Sequence, residues 1–595
     1  MISWHKLFDI INFQRRPTMA TYLIAHNGES DFHIVANQYS DEAVRYAASE
    51  LQKYLLKSTG AVVPYFSDRC PSRGPEIRIG PKVRGETVNA DDLCEEGFRI
   101  IGKDEHIYIV GNTSRGVIYG VYYFLETFCG FACFTKDAEK IDKHPCLEIE
   151  LDEIVREPAF EFRDAYFRFA FDGDFCAKNR LNTSLADLSV GKGGRMKWYN
   201  FHHSFRDLVS PNIYFDTHPE YFSEIDGERV KDSQLCLTNP EVLKIAEQTL
   251  RRWIKENPEC RVFSVAQNDN RKKCNCPACL ALEEEEGSPA GPIIHFVNKL
   301  ADAIKDDYPN ILLHTFAYQY SLPAPKYAVA RDNVIVRLCS ISCRFDTPLT
   351  TLAERGSEKE LVYVNALRDW ASHAKRLYVW DYIVNFRNYL QPFFPPHTLQ
   401  ANLKMYKKIG IMGILEQGNF AYGGGAAFDD MKSYIIAKLL WDPEADVDAA
   451  IHNFCQTVYG EKAGEIMEEY ARYVADACQS HPLMIYQNPA AAYVTDEFVD
   501  RIEEMFEKAL AAAENDVYRR RVEREQLSVR FLRLARMPLE TPGRLELVDQ
   551  FFDDVKSHGI TEIRERRTLG AAKESMLTSL YLTERPGYSL YYIMQ

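Results

Sequence analysis

Apolar positions recur along this chain with two periods, and the pattern changes twice. In the first 150 residues, short apolar runs at 34–35, 77–80, 97–101 and 106–111 read as strands. Between them, Ala43, Tyr46, Ala47, Leu51, Tyr54 and Leu55 keep the three- and four-residue spacing of a buried helix face. Asp41 stands where an N-cap belongs, and Thr59-Gly60 where a helix stops. A second helix is predicted from Ser114 through Leu125. This alternation predicts one small α/β domain.

From Phe160 onward the strands become regular. Candidates fall at 160–169, 184–188, 260–266, 311–318, 333–339, 377–379 and 413–415. Helical stretches at 240–254, 292–306, 358–373 and 399–409 lie between them. Repeated β–α units of this kind predict a TIM-type (β/α)8 barrel. A doubly wound sheet is the competing architecture, but no G-x-G-x-x-G follows a strand. Past Trp441 the strands vanish, and helix-periodic stretches follow at 447–459, 462–480, 496–515, 517–535 and 545–557. The predicted organisation is an extension at 1–18, an α/β domain at 19–152, a barrel at 153–440 and an α-helical domain at 441–595.

Charge narrows the partners. A net charge of −15 repels nucleic acid and anionic lipid, so neither is expected. No run of about 18 apolar residues exists to cross a membrane. The first apolar stretch is broken by His5, Lys6 and Asp9, too soon for a signal peptide, and Met19 could be the true start. Fifteen scattered cysteines suit reduced thiols. A cytoplasmic protein is therefore expected. The aromatic share of 12% suits the stacking of sugar faces as well as ordinary cores.

Barrel enzymes place their chemistry at the C-terminal ends of strands. Three such ends stand out. Ser264-Val265-Ala266 runs into Gln267-Asn268-Asp269-Asn270, where Asp269 reads as an acid or an orienting carboxylate, or else the run is an Asx-rich turn. Leu377-Tyr378-Val379 ends in Trp380-Asp381-Tyr382: a platform with two hydrogen-bonding groups, or a buried Trp with a satisfied Asp. Gly413-Ile414-Leu415 ends in Glu416-Gln417-Gly418, where Glu416 could face Asp269 across the mouth or could be a salt-bridged structural acid. Arg163, Asn182, His203, His314 and Tyr318 recur after strands and join the candidate binding groups. Cys274, Cys276 and Cys279 form C-x-C-x-x-C. A structural zinc needs four ligands. A fourth would have to come from Cys236 or a His, so free buried thiols are favoured and no metal or cofactor is expected.

These motifs, in this order, resemble the family 163 glycoside hydrolases. The likeness rests on Ser264–Asp269 with the trailing C-x-C-x-x-C, on Trp380-Asp381-Tyr382 and on Glu416-Gln417-Gly418. It also rests on Leu439-Leu440-Trp441-Asp442-Pro443 and on His218-Pro219-Glu220-Tyr221-Phe222 with Asp226-Gly227. It spans roughly 155–480. Residues 50–55, Thr59-Gly60 and 116–120 are similar to the small α/β domain that precedes barrels in hexosaminidases and α-glucuronidases. The resemblance implies an endo-β-N-acetylglucosaminidase that cuts the chitobiose core of N-glycans, with the sugar's own acetamide as nucleophile, an exception to the two-carboxylate scheme. It implies that Asp269 and Glu416 divide the acid and acetamide-orienting roles, that Asn268 assists, that Asp381 and Tyr382 hold the sugar, and that Trp380 forms its floor. The expected substrate is an oligosaccharide or glycopeptide, and a homo-oligomer stays open. Two other readings remain. One is a uronide hydrolase using Arg163, Arg337 or Arg387. The other is a glycan-binding protein without catalysis.

Overall fold

The computed structural model describes residues 20–578. The extension expected at 1–18 lies outside them. The chain divides into two units.

The first unit comprises the described residues up to Ala132, with Lys140–Glu157 and Ser189–Gly194. Its six-stranded mixed sheet runs Glu153–Arg156, Phe98–Lys103, His106–Gly111, Glu76–Ile79, His33–Ala36, Tyr65–Ser67. The helices Glu42–Thr59 and Ser114–Cys129 pack on it and on each other. The expected caps form: Asp41 accepts from the Val44 amide, and Gly60 closes the helix at φ 76°. Gly116 sits so close to the sheet that a Cβ there would come within 2.5 Å of the Gly97 carbonyl.

The second unit holds a curled parallel sheet of seven strands and the helices that follow it. In chain order the strands are β1 (Phe162–Tyr166), β2 (Trp198–Tyr199), β3 (Val262–Ser264), β4 (Leu312–Ala317), β5 (Val334–Cys339), β6 (Arg376–Tyr382) and β7 (Gly413–Gln417). In space they run β1-β7-β6-β5-β4-β3-β2. Six match expected strands. Residues 184–188 form none, and the two-residue β2 was too short for any periodic signal. The edge strands nevertheless face each other: Phe162 of β1 and Trp198 of β2 lie 5.3 Å apart between ring centroids. Irregular backbone around Asn182 fills the gap. Its Oδ1 accepts from the Arg163 amide at 2.9 Å, its Nδ2 donates to the Glu161 carbonyl at 2.7 Å, and its own carbonyl accepts from the Met196 amide at 2.8 Å.

Side chains alternate along each strand, so one face looks into the curl and the other toward the helices. Phe162 and Tyr166, Trp198, His314 and Phe316, Arg337, and Tyr378 and Trp380 share the inner face through ring contacts. Gly413 admits Tyr378, because a Cβ there would lie 2.6 Å from its ring. The helix-facing side carries Arg163 and Asp381. The Arg163 guanidinium packs over Trp441. Asp381 accepts from Tyr406 of the helix Pro396–Ile409.

The five expected C-terminal helices appear as Val447–Val458, Glu461–Gln479, Asp496–Ala512, Asp516–Arg536 and Arg544–Ser557, each packed on the next. A bidentate pair ties them back to the sheet layer. Arg524 donates to both oxygens of buried Asp429 at 2.8 and 2.7 Å. The turn after the last of these helices reaches the strand ends. The Thr561 amide donates to the Gly423 carbonyl, the Tyr389 amide to the Ile563 carbonyl, and the Glu565 amide to the Phe386 carbonyl.

Candidate active site

Four groups converge past the ends of β3 and β4. Asp269 is half exposed, and its Oδ1 accepts from the Tyr318 hydroxyl at 3.2 Å. The Gln319 amide stands 3.5 Å and His203 Nε2 3.8 Å from the same oxygen. His203 Nδ1 donates to the Gln267 carbonyl at 2.6 Å. That bond turns Nε2 toward Asp269. Burial holds the His203 imidazole below its usual value, against the pull of Asp269, so it is neutral at pH 7.

The turn that carries Asp269 is clamped from below. Gln234 accepts from the Asn268 amide at 2.7 Å and donates to the Asn268 and Asn270 carbonyls at 2.9 Å each. Asn268 completes the clamp: its Oδ1 accepts from the Arg206 amide and its Nδ2 donates to the Ser233 carbonyl. Its side-chain amide is thus bonded to backbone on both sides.

An aromatic floor lies beneath the mouth. Trp380 packs against Phe201 at 5.6 Å and Phe316 at 5.9 Å, and its Nε1 donates to Gln417 Oε1 at 2.7 Å. Deeper still, the Arg337 guanidinium rests 4.3 Å from the Trp198 ring, 4.8 Å from Phe201 and 5.5 Å from Trp380. None of its three nitrogens has a hydrogen-bond partner. Burial lowers its pKa only to about 10, so it stays charged, held by ring quadrupoles and by the charge of the buried Asp164 carboxyl. His314 is pushed well below its usual range by burial and by Arg337, and is neutral.

The turn that carries Glu562, Glu565 and Arg566 bonds to Phe386 and Tyr389, and the charge of Arg566 is felt at His203. The Glu565 carboxyl is pushed up by burial and by the charges of Glu562 and Asp269, against Arg566. No periodicity points to Glu565. In the sequence it lies in a charged stretch that reads as a solvated turn, far from every strand.

The other expected residues are distributed as follows. Tyr382 lies on the Trp380 face of β6, edge-on to Phe386 at 5.8 Å. Arg163 donates to the Arg180 and Phe160 carbonyls, and Asn182 bridges the edge strands, so both serve the framework. Asp381 and Glu416 are register partners on the opposite face from Trp380 and Gln417. Asp381 accepts from Ser340, the Tyr382 amide and Tyr406. Glu416 is fully buried with neither oxygen hydrogen-bonded, and burial reinforced by Asp381 pushes its carboxyl well above the usual range. The structure therefore joins Asp269, His203, Tyr318 and Trp380 at one mouth and leaves Glu416 behind the sheet.

Cys236 joins the sequence triad. The four Sγ atoms of Cys236, Cys274, Cys276 and Cys279 lie within 4.8 Å of one another, all buried. This is the only such His, Cys, Asp or Glu group among the described residues.

Among solved structures, the chain is similar to a 4-O-methyl-α-glucuronidase of family GH115, specific for decorated arabinogalactans. The identity is 12% and the TM-score 0.55, covering 90% of this chain and 76% of that one. That likeness fixes the fold alone. It is also similar, at 15% identity and a TM-score of 0.42, to the GH20 β-N-acetylhexosaminidase of Streptomyces coelicolor A3(2), covering 76% and 93%. No curated protein sequence matches. Residues 25–124 match the glycosyl hydrolase family 67 N-terminus. Residues 134–472 match over half the chain, and on that ground the protein belongs to the family described as domain of unknown function DUF4838.

Proposed function

We propose that the protein is a glycoside hydrolase that cleaves a β-linked N-acetylglucosaminide within an oligosaccharide or glycopeptide, with retention and with the substrate's acetamide as nucleophile. One observation carries this reading. A carboxylate oriented by Tyr318 stands over an aromatic floor, within electrostatic reach of a second carboxyl, Glu565, that burial pushes above the usual carboxylate range. Burial moves the Glu565 carboxyl in the direction a general acid requires. In this reading Asp269 polarises the acetamide N–H and Glu565 protonates the glycosidic oxygen. Trp380 stacks on the sugar. Tyr318 holds Asp269 in place. Glu416 is a neutral carboxyl behind the sheet and takes no step.

Digestion of complex N-glycans, a nitrophenyl N-acetylglucosaminide and a nitrophenyl uronide, read by mass spectrometry, tests it. Cleavage between the two core N-acetylglucosamines is expected. Hydrolysis of the uronide alone would overturn the reading. Because Glu565 must be protonated to act, kcat/KM should fall as pH rises through its raised pKa, and Glu565→Gln should abolish that limb.

The unpartnered Arg337 favours a second reading, an acidic sugar whose carboxylate reaches the guanidinium. Under it, Arg337→Met removes uronide turnover while leaving N-acetylglucosaminide turnover within a few-fold.

A further inference from the structure

We infer that Cys236, Cys274, Cys276 and Cys279 bind one zinc ion, and that this ion fixes the turn carrying Asp269. Geometry makes the first case. A tetrahedral ion with Zn–S bonds of about 2.3 Å places its sulfurs about 3.8 Å apart. Here Cys236 Sγ lies 3.7 Å from Cys276 Sγ and 3.9 Å from Cys279 Sγ, and the whole set fits within 4.8 Å. All four residues are nine-tenths or more buried. Such a cage suits a single ion and leaves no room for an iron–sulfur cluster. Four thiolate ligands and no open position make the site structural, not catalytic.

The surroundings are built for negative charge. Zinc that displaces four thiol protons leaves a complex of net charge −2. Cys274 Sγ receives the Glu224 amide at 3.4 Å and the Arg229 guanidinium at 3.7 Å. Thr238 Oγ1 stands 3.2 Å from Cys279 Sγ. Cys276 is the N-cap and Cys279 lies in the first turn of the helix Pro277–Glu286, whose amide end favours thiolate. Donors of this kind orient ligands and tune metal affinity.

The second case is connectivity. Cys236 arrives on the segment that carries Ser233 and Gln234, the two residues that clamp Asn268 and Asn270. The other three ligands follow Asp269 within ten residues. The ion therefore closes a ring that runs from Gln234 through the metal and back to the turn. Two segments without regular secondary structure, joined otherwise by the hydrogen bonds of Ser233, Gln234 and Asn268, become rigid. Metal-dependent folding of this kind is general for sites that do not exist in the unfolded chain.

Elemental analysis of the full-length protein, purified without chelator, tests the metal. About one zinc per chain is expected. One iron per chain, or no metal together with a mass four hydrogens short (two disulfides), would overturn the assignment. Cobalt exchanged into the site should show the thiolate charge-transfer and visible ligand-field bands of tetrahedral cobalt. Cys279→Ala should lose the metal, whereas Cys279→His, which restores a fourth ligand, should keep it. Folding failure of the Ala variant leaves the His variant and the wild-type stoichiometry to decide. Hydrogen exchange then tests the coupling. Removal of zinc by a mercurial should raise amide exchange at 268–270 at least tenfold, while exchange in β5 stays unchanged. Equal protection with and without the metal would overturn the positioning role. Neither readout depends on which sugar is cleaved.

Discussion

Replacing Glu416 by Met separates the structure's placement of this residue from the role its motif suggests. Met has nearly the same volume and removes both carboxyl oxygens. In the native chain those oxygens are fully buried and unbonded. An unsatisfied buried polar group costs about 1–3 kcal/mol, so Glu416→Met should stabilise the protein by about that much at pH 7. The gain should also depend on pH. The folded-state pKa is raised, so the folded chain holds a proton that the unfolded chain releases. Wild-type stability therefore falls as pH rises above the usual carboxylate range toward the folded pKa. The variant lacks that slope, and its advantage should be larger at pH 8 than at pH 5. Calorimetric scans at fixed rate and several pH values read this as an upward shift in Tm of about 1–3 °C. Turnover should stay within about threefold of the parent. A variant of unchanged Tm with turnover reduced about a hundredfold would refute the placement and return Glu416 to the reaction.

Other perturbations have defined outcomes. Trp380→Phe keeps the floor but loses the 2.7 Å bond to Gln417, which should raise KM about fivefold, for a loss of about 1 kcal/mol, with little change in kcat. Arg524→Met leaves Asp429 buried and unpaired and should cost about 3 kcal/mol or more in denaturant titrations. Glu525 is pushed up to about 7 by burial, so its folded form carries the extra proton between the usual Glu value and pH 7. It should lower stability as pH rises through that window, and Glu525→Gln should flatten the curve there.

Much of the framework was legible because it rests on period and caps. The helix Glu358–His373 and the five C-terminal helices fall within a few residues of their predicted bounds. Strand ends were harder. Asp269 and Trp380 are legible, because an apolar run ending in several polar groups marks a strand mouth whichever way each side chain points. The pattern does not tell the two faces apart where the run is apolar on both, so Asp381 and Glu416 are grouped with Trp380 although alternation turns them away. The apolar run at 184–188 forms no strand for a related reason. The gap between the edge strands is bridged by the Asn182 side chain instead of a ladder, and one Asn leaves no pattern. Glu565 depends on long-range closure, which no local spacing encodes, and the same closure is what selects Cys236 over a His as the fourth thiol partner. Arg337 carries no sign in the sequence of the aromatic box that surrounds it.

The account stands or falls on whether the Asp269 carboxylate acts on substrate. Single-turnover cleavage of a chitobiose-core glycopeptide by Asp269→Asn measures this directly. The substitution keeps the size of the side chain and its contact with Tyr318, so substrate binding should change less than about threefold while the cleavage rate falls about a thousandfold. Cleavage at the parent rate would contradict the account.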